Sequence, residues 1–192
     1  MIEFPEAQAL SAQLMQYTAG RKVLRVLPPA KAHKFCWFQG DPALYDVALR
    51  GATITGAEGF GGYAELKFSN GKRLCIQDGV QARLIRAAQA PKNYQLLIEM
   101  TDGSALCFTV ALYGGILVHD GGLDNPYYQK SLAALPPDAP DFPAHFEQLC
   151  GQCSPTMSLK AFLATQQRFP GIGNGVIQDV LFAARLNPKQ KL

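Results

Sequence analysis

The sequence has no apolar run approaching the roughly 18–20 residues that a membrane-crossing helix needs. Its opening, MIEFPEAQAL, carries glutamates where a secretory leader carries lysine or arginine. Both absences predict a cytoplasmic protein with no membrane partner. Histidine is scarce, and no second Cys-x-x-Cys accompanies Cys150 and Cys153 in CGQC. A structural zinc takes four ligands, so no metal and no cofactor is expected. The other cysteines, Cys36, Cys75 and Cys107, sit inside strand-like apolar runs, which suits buried thiols in a reducing compartment. There is no internal repeat and no low-complexity tract.

What is present is a chain of 192 residues, 48% hydrophobic, enough for one good domain or two small ones. The formal charge of +3 says little by itself. Its distribution says more, because the C-terminal segment carries Lys160, Arg168, Arg185, Lys189 and Lys191 against Asp179 alone. Such a segment suits an anionic partner, although a solvated helical face would look the same.

Hydrophobic spacing divides the chain. Leu10, Leu14 and Tyr17 recur at helical spacing over residues 3–19, with Gly20 as the stop. KVLRVL (22–27) alternates as a strand, FCWF (35–38) reads as a short aromatic strand, and residues 41–51 read as a helix capped by Asp41. YAELKFS and KRLCIQ flank Asn70-Gly71, a hairpin signal; QLLIEM and ALCFTVALY flank a second turn at 101–104, and GILVHDG follows as a further strand. Residues 120–141 are rich in proline, glycine and aspartate and read as a linker. Beyond it the period is helical over 142–150, 158–167 and 174–186, with Ser158 and Asn174 as N-caps. The fold class is therefore α+β: an N-terminal helix with a β-sandwich over residues 1–130, then a helical module over 142–192 that reads as truncated at NPKQKL.

RFPGIGNGVIQDVLF (168–182) crowds glycines around Asn174 just before an apolar helix. A helix N-terminus presents unpaired N–H groups, and glycines let a phosphate approach the backbone. An ordinary corner in a core is the equal alternative, and a helix–hairpin–helix hairpin is a rival of similar class.

The start MIEFPEAQ resembles the MPELPE start of the formamidopyrimidine-DNA glycosylase and endonuclease VIII family, and SLKAFLATQQRFPGIGNGVIQDVLFAARLNP resembles that family's helix–two-turn–helix stretch. The resemblance covers the whole chain in order, specifically at both ends and loosely between them. It implies a DNA repair glycosylase and lyase acting on damaged duplex DNA as a monomer; the alternative is a binding protein on the same scaffold, without chemistry. It implies catalytic roles for Ile2 as the terminal nucleophile and for Glu3 and Glu6 as the acidic pair. It implies DNA-binding roles for Lys160 and Asn174 on a phosphate, for Gly171 and Gly173 in the loop, and for Tyr113 as an aromatic wedge. Several positions depart from the family. Ile2 stands in place of its proline, Gly62 opposite its strand lysine, Leu112 in place of its arginine, and no zinc finger is present. These departures predict weak chemistry.

Overall fold

A computed structural model describes residues 2–192. Helix α1 (Phe4–Thr18) begins after Glu3 in extended backbone and carries Pro5 in its first turn, where the missing N–H is not needed. It buries Ala7, Ser11, Leu14 and Thr18, one stripe at helical spacing. The chain leaves it through Gly20 at φ +80°, the left-handed stop that the sequence predicts.

Seven strands follow: β1 (Val23–Leu27), β2 (Cys36–Phe38), β3 (Ile54–Phe60), β4 (Tyr63–Phe68), β5 (Arg73–Arg86), β6 (Leu96–Met100) and β7 (Ser104–His119). Their order is β1-β6-β7-β5-β4-β3, with β2 added in parallel to β7. The long strands β5 and β7 serve two layers. Their halves at 73–77 and 115–119 join β4, β3 and β2; their halves at 80–86 and 104–110 join β6 and β1. The crease is a register shift between Asp78 and Val80. Glycines permit it: a Cβ on Gly79 would lie 2.7 Å from the Tyr113 carbonyl oxygen, and one on Gly114 would lie 2.7 Å from Val80 Cγ2. A single core joins both layers to α1, drawing Ile54, Leu66 and Ile76 together with Val26, Ile98 and Phe108. The sandwich is thus one curled sheet, whose end strands approach each other at the isolated bridge between Lys22 and Thr53.

Several sequence expectations need correction. ALCFTVALY and GILVHDG belong to one strand, β7, because Gly114-Gly115 stays extended instead of turning. β5 runs nine residues beyond Gln77, through a polar stretch exposed on one face. β3 was not legible, since Gly56 and Gly59 interrupt its pattern. Gly59 is required by packing: a Cβ there would lie 2.5 Å from the Ala7 carbonyl oxygen of α1. The helix expected over 41–51 is a short 3-10 turn at Pro42–Leu44, with Asp41 accepting from the Ala43 N–H, followed by α2 (Tyr45–Leu49).

The linker also contains a helix, α3 (Pro126–Leu132), whose N-terminus is capped by the Asn125 side chain. α3 is fastened to the sheet through a buried carboxylate. Glu65 of β4 is fully buried and accepts from Tyr128 Oη at 2.7 Å and Arg73 Nη1 at 2.9 Å, with His119 Nε2 at 3.1 Å. The Tyr128 ring packs against Phe60, Tyr63 and His119. The helical module comprises α4 (Phe142–Gly151), α5 (Leu159–Ala164) and α6 (Asn174–Ala183). Its core is aromatic: Phe142, Phe146, Phe162 and Phe169 contact one another with ring centroids 5.4–6.4 Å apart. α5 ends at Ala164, short of the expected 167, because Gln166 and Gln167 take positive φ; α6 ends at Ala183, short of 186.

Burial alone would raise the Glu65 carboxyl, but hydrogen bonds from His119, Tyr128 and Arg73 outweigh it and hold the group below its ordinary value of 4.5. A depressed carboxyl contributes stability that is present above that value and lost as pH falls through the folded one. Tyr128→Phe keeps the ring and removes one donor. It should cost about 1–3 kcal/mol at pH 7 and less in acid, measured by urea unfolding at both pH values.

Candidate functional site

Residues predicted at opposite ends of the chain meet in one place. The Glu3 carboxylate accepts from the N–H of Gly175 (3.0 Å to Oε1) and of Val176 (2.7 Å to Oε2), closing the N-terminus of α6. The Glu3 N–H in turn donates to Glu6 Oε2 at 2.9 Å, so Glu6 fixes the position from which Glu3 reaches out. The Phe4 N–H donates to the Gly171 carbonyl at 2.7 Å, and Tyr127 Oη of α3 accepts from the Gly171 N–H at 3.1 Å. The loop at 170–175 is therefore bound to the N-terminal segment and to the linker helix together.

This arrangement explains the glycine cluster differently from the sequence. Gly171 lies at φ +85°, and a Cβ there would sit 2.2 Å from the Gly61 carbonyl carbon. A Cβ on Gly173 would sit 2.2 Å from Glu3 Oε1, and one on Gly175 would sit 3.3 Å from the same atom. The close approach that these glycines permit is made by the protein's own strand turn and carboxylate. Asn174 does not cap α6: Gly173 is the N-cap residue, and the cap is supplied across the fold by Glu3. Asn174 is exposed at the start of the helix.

Ile2 is 7% exposed. It lines a pocket of about 220 Å³ with Gly62, Tyr63, Gln77, Asp78, Asn125 and Tyr127. Met1 lies outside the described residues. Gly62 stands where a lysine was expected, and a Cβ there would lie a tight 3.0 Å from the Ile2 carbonyl oxygen. Sequence reading missed Gln77, Asp78, Asn125 and Tyr127. Asp78 had no signal in the sequence, yet it adopts φ +58°, a conformation that side chains seldom occupy, at the crease of the sheet. Burial raises its carboxyl above the ordinary aspartate value.

The remaining predicted residues stand apart from this contact network. Lys160 is exposed on α5, and its backbone N–H donates to the Pro188 carbonyl at 3.1 Å. Tyr113 is exposed on β7, on the strand that carries the crease. Cys150 and Cys153, at the end of α4, are free thiols. Among the described residues no group of three histidine, cysteine or acidic side chains is placed to hold a metal ion, and no helix is long and apolar enough to cross a membrane.

No protein-family model matches the chain. It is similar to curated formamidopyrimidine-DNA glycosylases along its length. The protein from Symbiobacterium thermophilum is 29% identical over 203 residues, covering all of this chain and 62% of the relative. The Stutzerimonas stutzeri protein is 27% identical over 197 residues, covering 99% and 69%. The chain thus spans somewhat less than two thirds of the Symbiobacterium thermophilum relative's length. Among solved structures, Lactococcus lactis Fpg in complex with abasic-site DNA superimposes with a TM-score of 0.79 at 21% identity, over 98% of this chain and 70% of that one. MutM in complex with DNA containing carbocyclic 8-oxo-G gives 0.77 at 18%, over 98% and 71%.

Replacing Gly173 by alanine should push the Glu3 carboxylate off the α6 N–H groups and cost about 1–2 kcal/mol, the size of a lost helix cap. Gly171→Ala should cost more, because its new methyl meets backbone at a left-handed position. Thermal unfolding of both variants checks the order; a Gly173→Ala protein as stable as the parent would remove Glu3 as the cap.

Proposed function

We propose that the chain is a member of the formamidopyrimidine-DNA glycosylase and endonuclease VIII family, and that it is a DNA repair glycosylase with an associated strand-cleaving lyase activity on damaged duplex DNA; similarity to curated relatives along its length and a shared fold support the reading. The observation that carries the proposal is the joint between the N-terminal segment and the glycine loop. It holds Ile2 at the wall of a pocket, with the adjoining Glu3 oriented by two backbone donors. We place the protein in the cytoplasm as a monomer, in keeping with its free cysteines.

In this reading the terminal amine is the nucleophile. It attacks the sugar carbon that carries the damaged base. The bond from that carbon to the base breaks, and a proton passes to the departing base. Opening of the sugar ring leaves a Schiff base; loss of a proton from the adjacent carbon then expels the 3′ phosphate. Glu3 is the proton carrier at the sugar, and Glu6 positions it through the Glu3 N–H. Once Met1 is removed, isoleucine supplies a primary amine where the family's proline supplies a secondary one, and a primary amine also forms a Schiff base; with Met1 retained, the amine lies one residue earlier. Lys160 and the amide of Asn174 hold a backbone phosphate. The α6 N–H groups of Gly175 and Val176 are taken by Glu3, so the phosphate is gripped by these side chains and not by those two groups.

Borohydride reduction in the presence of an abasic-site duplex should trap a covalent adduct at the terminal residue, identified by intact mass and peptide mapping. Glu3→Gln should reduce trapping by on the order of 100-fold, the usual scale for loss of a general acid–base group. An adduct at an internal lysine such as Lys67 would keep the enzyme and replace the nucleophile. Absence of any adduct from a protein that binds the abasic duplex would reduce the assignment to DNA binding.

Lys160→Ala should weaken duplex binding about equally for all sequences and shallow the dependence of log affinity on log salt by about one unit. Fluorescence anisotropy at several salt concentrations measures both; unchanged affinity across the series would displace the phosphate clamp.

A further inference from the structure

We propose that Trp37 and Tyr113 form a stacking platform for unpaired nucleobases, and that this surface gives the protein a single-stranded DNA-binding site beside the pocket. The inference rests on the nucleic-acid reading above and extends it to a residue and a substrate class outside it.

The platform follows from strand alternation and from two glycines. β2 runs parallel to β7, with Cys36 opposite Gly114 and Trp37 opposite Gly115. Cys36 and Phe38 face inward against the core. Trp37 therefore points to the outer face, as does Phe35 two residues before it, and each is 49% exposed. Gly114 and Gly115 place no side chain over them. Tyr113, 39% exposed, brings its ring to within 6.3 Å of the Trp37 ring, centroid to centroid, at 57°. Leu112 beside it is 75% exposed. Large apolar side chains held in water on a rigid sheet edge are the feature that needs an occupant.

Charge and position select nucleobases as that occupant. Residues 28–38 and 112–116, which carry the rings and their strand partners, contain Lys31 and Lys34 and no aspartate or glutamate; the nearest carboxylate along the sheet is Asp78, the register partner of Gly114. Lys34 Nζ lies 5.4 Å from the Phe35 ring centre, which puts a cation beside the exposed aromatic segment. Aromatic faces beside lysines suit a single strand, whose bases stack while its phosphates meet cations. The surface is also continuous with the pocket. Gln77, which lines the pocket, packs its side chain against Gly115, the register partner of Trp37. Gly79 lies under the Tyr113 carbonyl and adjoins Asp78, another pocket residue. A strand leaving the pocket would pass over these two rings. Because stacking reads a π-face and not hydrogen-bond edges, the platform tolerates any base.

Trp37 is the chain's single tryptophan, so its emission reports on the platform directly. Titration with a single-stranded oligothymidine should quench and shift that emission. A base-free abasic oligomer of equal length should bind through its phosphates and leave the emission unchanged. Trp37→Ala should weaken oligothymidine binding about tenfold, within the range for one lost stacking partner. It should leave affinity for a fully paired duplex within about twofold, and Trp37→Phe should restore much of the loss. The same emission change with base-free oligomer, or equal losses for single strand and duplex in Trp37→Ala, would overturn the platform. Duplex binding without any response of Trp37 to oligothymidine would overturn it and leave the repair reading intact. Failure of the parent protein to bind any of the three oligonucleotides would remove both.

Discussion

The carboxylate of residue 3 closes the N-terminus of a helix that begins at residue 174, and the rest of the molecule is arranged around that joint. A helix start leaves N–H groups unpaired and a positive end to its dipole, so a carboxylate placed there satisfies both. Here the carboxylate comes from another helix, where a local cap would use a residue of the same loop. Its own backbone is held by Glu6, and the peptide after it bonds to the Gly171 carbonyl. The sandwich and the helical module are thereby joined where the pocket opens. A second fastening, from Tyr128 and Tyr127 of α3, ties the linker to Glu65 of the sheet and to the same loop.

Close backbone approach recurs as the enabling condition. Gly59 lets α1 lie against β3, Gly62 lies under the Ile2 carbonyl, and Gly171 and Gly173 receive the Gly61 backbone and the Glu3 carboxylate. Gly79 and Gly114 allow the two long strands to crease. At each of these positions a methyl group would meet another atom at 3.0 Å or less. The crease presents Asp78 to the pocket in a strained backbone and carries Tyr113 and Trp37 to the outer face, so one distortion of the sheet serves the pocket and the surface beside it.

Two of the departures from the resembled family's pattern, Ile2 and Gly62, line this pocket. Gly62 stands where that pattern has a lysine, tightly against the Ile2 carbonyl. Leu112 presents an apolar surface where an arginine was expected, next to an aromatic pair in place of a charge. Among the residues that line the pocket, Asp78 supplies a carboxyl raised by burial.

Much of the scaffold is determined by the sequence alone. Helical spacing sets α1, Asn70-Gly71 sets the β4–β5 hairpin, Ser158 caps α5, and the change of period after residue 141 marks the helical module. These are local matters, decided by side-chain periodicity and turn chemistry within a few residues. The two ends that resemble the family also supplied Ile2, Glu3, Gly171 and Gly173, which the structure brings into one contact network. Tertiary structure decided the rest. Asn174 looked like the cap because it is the polar residue at the helix start, yet a carboxylate about 170 positions earlier takes that role. ALCFTVALY and GILVHDG read as two strands and are one, because β2 and β5 pair with Gly114-Gly115 on both edges. Asp78, Gln77, Asn125 and Tyr127 form a pocket, and Trp37 meets Tyr113, only because a seven-stranded sheet curls. No periodicity encodes such a meeting, since the distance in sequence between the partners is set by the path of the whole chain.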